Sequence, residues 1–201
     1  MKKVFLLPAF CMAVFSLSAQ TKFGVTSGLV LASVSTNDED LKSEKAVLLA
    51  PQLGVTVDHS ISKQFSIQSQ LLLIGKGTSI EHEGHKDKIR FMALDLPVQL
   101  VYRTKSGWFI GGGPNLGFNL SAKSIDEDGS ESIDIGSAVG EVKGFDMGLN
   151  FRTGLELKNG LVLSVNKLFG LTNLQNVDGF RWNNNAIGLN VGYFFPKKSK
   201  K

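Results

Sequence analysis

Residues 144–158 alternate with a strict period of two. Gly144, Asp146, Gly148, Asn150, Arg152, Gly154, Glu156 and Lys158 fall on one side. Phe145, Met147, Leu149, Phe151, Leu155 and Leu157 fall on the other, with only Thr153 out of place. Successive side chains of a β-strand point to opposite faces, so this pattern specifies a strand with one apolar and one polar face. The run is also longer than the five or six residues usual in globular sheets.

The same alternation recurs over 48–58, 64–76, 92–103, 108–121 and 185–195, and more weakly over 22–33 and 161–171, which makes eight strands. The connections at 58–63, 104–107 and 158–160 are short and rich in Gly, Ser, Asn and Lys, as tight hairpins require. Those near 35–46, 77–89, 122–143 and 173–184 are long and polar. An even strand number, short turns at one end, long loops at the other and both termini on the short side describe an outer-membrane barrel. Strands of ~9–11 residues, tilted by about 45°, are what a bilayer demands, and closure leaves no unpaired edge in lipid. The expected fold is all-β: an eight-stranded antiparallel up-and-down transmembrane β-barrel.

A soluble lipocalin-like barrel or a β-sandwich would turn the apolar face inward. The second face argues against both. It carries many glycines, among them Gly28, Gly54, Gly117, Gly148 and Gly192. Glycine on a solvated strand only weakens it, whereas inside a narrow barrel it makes room for longer polar neighbours. Lys167 falls on the apolar side of its strand, which predicts a β-bulge there or a place near the rim.

The amino terminus carries Lys2 and Lys3, an apolar stretch from Val4 to Phe15 and the small residues Ser16, Ser18 and Ala19, the pattern of a secretory signal. Cleavage after Ser18 and cleavage after Ala19 both fit. Cys11 follows the bulky Phe10 and belongs to the apolar stretch rather than to a lipoprotein acylation site, so the mature chain has no cysteine. The division expected is a signal over 1–19, the barrel over 20–195 and a basic tail over 196–201. A net charge of +4, with no basic stretch interleaved with aromatics, excludes nucleic acid as a first choice of partner.

Six charged or amide residues share the inward parity: Asp95, Gln99, Arg103, Asp146, Arg152 and Glu156. In a barrel of this size they are expected to form a polar network of mutually neutralised charges rather than a catalytic pair or a conducting path. His82 and His85, within an acidic and basic loop, are the candidates for holding a metal, but a hydrated loop accounts for them and no metal or other cofactor is expected. The acidic run Asp126–Glu131 lacks the spacing of a calcium loop. An enzyme would have to recruit His82 or His85 with Ser79 or Ser121, and no nucleophile-elbow sequence is present. The chain is not expected to be an enzyme.

Residues 94–123, LDLPVQLVYRTKSGWFIGGGPNLGFNLSAK, resemble a hairpin of the Bacteroidota outer-membrane β-barrel family that includes PorT-like proteins. Residues 65–77 (FSIQSQLLLIGKG) resemble the strand before it, with Ser69 and Gln70 where that family usually has Pro and Glu. Residues 144–157 (GFDMGLNFRTGLEL) resemble the strand after it. The resemblance implies a barrel in the outer membrane, with lipid as its surroundings and envelope or secretion-machinery proteins as candidate partners. The function expected is non-catalytic: anchoring surface loops for binding, or supporting the envelope or a secretion machine. The alternatives are a soluble periplasmic binder of a hydrophobic ligand and a narrow solute channel.

Overall fold

The structure is a computed structural model that describes residues 20–82, 85–126, 129–177 and 179–196, without the side chains of 40–42 and 82–86. The expected signal over 1–19, all of the expected tail over 196–201 except Pro196, and the imidazoles of His82 and His85 lie outside the described residues.

Alternation is realised as long strands. They are β1 (Thr21–Thr36), β3 (Leu48–Ser60), β4 (Phe65–His82), β5 (His85–Arg103), β6 (Trp108–Ile125), β8 (Phe145–Glu156), β9 (Leu161–Gly170) and β10 (Trp182–Phe194). A six-residue helix α1 (Glu39–Glu44) and two short strands, β2 (Lys45–Ala46) and β7 (Ser130–Ile133), decorate one end. Each long strand pairs antiparallel with its sequence neighbour. The β1–β10 and β4–β5 ladders complete the ring.

Closure has a definite stagger. From Thr21 the partners run through His59, Ile67, Leu100, Gly112, Phe151, Lys167 and Ile187 to Leu31, ten residues further along β1. With ~3.3 Å per residue and strands ~4.8 Å apart, that stagger tilts the eight strands by about 40°. Thr21 at the start of β1, Phe194 at the end of β10 and the turns at 61–64, 104–107 and 157–160 share one end, the turn end. Gly107 and Gly160, each at positive φ, supply the backbone conformation that two of those turns need.

Three loops expected at the opposite, loop end are corrected. The loop expected at 77–89 is a hairpin extension, with β4 and β5 paired as far as His82↔His85. Beyond the apolar belt the outer face turns polar while Ile89 and Phe91 stay on the inner one, so the apolar-out alternation that marks the strands disappears while the ladder continues. Likewise β6 runs to Ile125 and pairs with β7, and β10 begins at Trp182, so the expected loops at 122–143 and 173–184 are partly sheet. No bulge occurs at Lys167, whose register with both neighbours is regular. The irregularity is at Met92/Ala93, where the partner in β6 jumps from Ser121 to Asn119.

The outer surface is apolar. Leu29, Leu53, Leu71, Leu100, Ile110, Phe151, Leu163 and Leu189 all stand exposed on the ring. Rings pair at two levels: Phe65–Tyr102 and Tyr193–Phe195 at the turn end, Phe118–Phe145 and Phe151–Phe169 toward the loop end. These are the interfacial girdles of a membrane barrel. Lys167 lies outward, three residues from the end of β9, with its ammonium 5.2 Å from the Phe169 ring centroid. A lysine there reaches the interface while its stem stays in the belt.

Candidate functional site: the barrel interior and its cap

The interior is built from the other parity and is filled in tiers. At the turn end, Arg103 bonds Asp58 Oδ2 at 3.0 Å and Glu156 Oε2 at 2.9 Å, and Lys22 reaches Glu156 Oε1 at 2.6 Å. Ser66 and Gln68 donate to the same Asp58 oxygen, and Gln68 Oε1 accepts from Arg152 Nη1 at 2.8 Å. Arg152 also donates to Ser164 and lies 5.3 Å from the Phe109 ring centroid. Lys22 and Arg103 thus pair with two carboxylates, and Arg152 joins them through Gln68, so the tier holds three cations against two anions. Below them a vestibule of about 700 Å³, lined by Arg103, Lys105, Glu156, Lys158 and Phe195 among others, opens at the turn end.

The middle tier is mostly neutral. Gln99 donates to Asn150 Oδ1 at 2.9 Å, Asn190 to Asn166 at 2.8 Å, Gln70 to Thr56 at 3.1 Å, and Gln52 to Asn190. Such cross-strand amide pairs satisfy buried polar groups at little electrostatic cost.

Toward the loop end, Lys76 Nζ lies 2.8 Å from Asp95 Oδ1 and 3.2 Å from Asp146 Oδ2. Asn115 donates to Asp95 at 2.9 Å and Asn184 to Asp146 at 3.1 Å. One cation meets two carboxylates here, so this tier carries the opposite sign to the turn-end tier. Gly117 lies alongside; a Cβ there would stand 2.8 Å from Asp95 Oδ1 and 3.0 Å from Lys76 Nζ.

The six residues expected from sequence thus face the interior but divide between tiers. Arg103, Glu156 and Arg152 join at the turn end, Gln99 sits among the amides, and Asp95 and Asp146 flank Lys76. Lys76, the counter-ion of both, was missed because it follows Leu72 and Ile74, which break the polar side of β4. Its signal was parity: it lies an even number of residues from Ser66, Gln68 and Gln70. Lys22 was missed because the alternation of β1 is weak. Asp58 is where the alternation over 48–58 and the expected turn over 58–63 overlap; β3 in fact continues to Ser60.

Apolar residues also enter the lumen, contrary to a simple polar interior. Val30, Ala32, Leu48, Ile74, Ala93, Leu168 and Ala186 cluster in the loop half. Beyond them Val34, Phe91, Ala122, Val142, Leu174 and Trp182 form a cap, with Ile133 and Ile135 packed on it. Val142 arrives from the connection between β7 and β8, bridged to Ile135 and Gln175. Loops brought together by this cap form a compact head rather than separate strings.

Among the described residues no group of three or more His, Cys, Asp or Glu is arranged to hold a metal ion. Ser79 is buried and its hydroxyl donates to the Asp87 carbonyl, while Ser121 is exposed on the outer surface. No nucleophile–base pair is built from them.

The family model described as outer membrane protein beta-barrel domain matches residues 18–176. No curated protein matches the chain. Among solved structures, the attachment invasion locus protein Ail of Yersinia pestis, in complex with the heparin analogue sucrose octasulfate, is 14% identical with a TM-score of 0.50. The alignment covers 88% of this chain and 99% of Ail. Neisserial surface protein A is 12% identical with a TM-score of 0.51, covering 86% of this chain and 97% of that one. Both likenesses are of fold.

Proposed function

Because the chain belongs to the outer membrane protein beta-barrel domain family, we propose that it is a non-catalytic, non-conducting membrane anchor that holds a compact head of loops at the cell surface for binding. The outer membrane is its location, and the exposed apolar belt excludes the soluble-binder alternative, in which that face would point inward.

The observation that carries the reading is the filled lumen. Two ion clusters of opposite sign, joined by amide pairs, occupy the bore, and the Trp182 cap covers its loop end. Moving an ion through would mean breaking buried charge pairs, at a cost of about 3–5 kcal/mol for each partner left alone. The head is ordered by the same packing, which presents a fixed surface and so lowers the entropic cost of binding.

Purified protein in planar bilayers tests this directly. Steps of conductance in the wild type would overturn it in favour of the narrow channel. Removing residues 126–141 is expected to leave the heat-dependent gel shift of a folded barrel intact while abolishing adhesion of cells displaying the protein. The likeness of residues 94–123 to PorT-like proteins favours one setting for the barrel, as an accessory of a secretion machine. Crosslinking from the turn-end residues Lys105 and Lys158 in intact cells would find such a partner.

A further inference from the structure

Just beyond the belt, the outer face of the β5–β6 ladder places two cations side by side. Arg90 and Lys123 are direct cross-strand partners, and both are exposed. Lys88 follows two residues along β5 on the same face. Across the β4–β5 ladder they meet Gly77 and Ser79, not carboxylates. Among the described residues none of the three cations has an ion-pair partner, and Glu81, on the same face of β4, already has an interaction of its own. Like charges directly opposite on a ladder are destabilising. An anion between them turns that repulsion into two charge-assisted contacts.

What lies next to the pair restricts the anion. Met92, one step toward the turn end on β5, is exposed, as are Phe118 and Leu120 on β6. A groove of about 430 Å³ crosses this face, lined by Arg90, Lys123 and Ser121 on the polar side and by Pro51, Gly75 and Met92 on the apolar side. A site that straddles the edge of the belt fits a molecule with an anionic head and a hydrocarbon tail.

We infer that Arg90 and Lys123, with Ser121 and the adjoining groove, bind the phosphorylated headgroup of an amphiphile in the leaflet at the loop end. Arg90 supplies a planar fork for two phosphate oxygens, Lys123 a point charge, and Ser121 a hydroxyl donor. The inference rests on the transmembrane reading above, because the groove belongs to the bilayer only if the belt does.

Native mass spectrometry of the refolded, detergent-solubilised protein tests it, with diphosphoryl lipid A and its dephosphorylated form as probes. The heat-dependent gel shift checks separately that each variant is a closed barrel. Wild type is expected to retain the diphosphoryl form about ten-fold better than the dephosphorylated one, and R90Q/K123Q to lose about ten-fold, on the order of one charge-assisted contact. R90K should retain part of the affinity, and K105Q, at the turn end, all of it. Equal retention of the two lipids, or undiminished binding by a folded R90Q/K123Q, overturns the proposal. Displacement of the lipid by millimolar inorganic phosphate overturns the lipid assignment and leaves a simple anion site. Failure of the wild type to show a gel shift instead counts against the transmembrane reading.

Discussion

Lys76 on β4 bridges Asp95 on β5 and Asp146 on β8, with its side chain 1% exposed and both carboxylates 2% exposed. β4 and β8 are not neighbours in the ring, so the ammonium ties strands across the bore. Desolvating three charges is costly, and it is offset only because each carboxylate also accepts an amide N–H, from Asn115 or Asn184.

Lys76→Met would leave the two carboxylates facing each other without a cation. The expected loss is about 3–5 kcal/mol of stability, read by urea unfolding of the protein in lipid vesicles. Adding D95N and D146N to the same variant should recover most of it. A single K76M variant as stable as wild type would mean that the triad does not hold the loop half together.

Gly117 leaves room for that triad. Gly117→Val is expected to cost about 1–3 kcal/mol, because its neighbours are pinned by their ion pairs and cannot retreat. The same unfolding measurement decides, and a neutral effect would mean that Asp95 and Lys76 can shift.

Lys167 is the charged side chain that interrupts the belt on β9. Lys167→Leu is expected to raise stability by about 1–2 kcal/mol, since a lysine between midplane and interface retains part of its insertion penalty. Leu163→Lys, deeper in the belt, should cost about 2–4 kcal/mol. A strongly destabilising K167L would show that the contact with Phe169 outweighs the burial of charge.

The two tryptophans report opposite environments. Trp108 is 57% exposed on the outer surface and Trp182 is 4% exposed in the cap. In vesicles of brominated lipid, fluorescence of W182F, which retains Trp108, is expected to be quenched. Fluorescence of W108F, which retains Trp182, should change little. Quenching of Trp182 would place the cap against lipid and undo the closed loop end.

Most of the ring was legible because alternation is a local property. The belt residues of β8 and β10 announce both their strands and their faces in consecutive letters. Legibility failed wherever apolar residues enter the lumen. Ile74, Phe91 and Leu168 share the inward parity with polar residues, and in a linear reading they only blur the pattern. The hairpin extension beyond Lys76 was unreadable because its outer face turns polar while its inner face mixes Thr78 with Ile89, on a ladder that nevertheless continues.

Parity was enough to assign Asp95, Asp146, Arg103 and Glu156 to one face, but not to say which of them meet. That depends on the stagger of the ladders, which slides each strand along its neighbour by a fixed number of residues. Arg103 and Glu156 meet at one end and Asp95 and Asp146 at the other because the stagger and the strand directions put them there.

The sequence by itself determined an eight-stranded, closed sheet with its apolar face outward, since period, turn chemistry and glycine placement are written residue by residue. Only the tertiary structure decided that the lumen is divided into oppositely charged tiers, that Lys76 is the missing counter-ion and that the loops close into a cap. Those features depend on contacts between residues as far apart as Lys76 and Asp146, or Val34 and Trp182, and such contacts exist only after the ring has closed with one particular register.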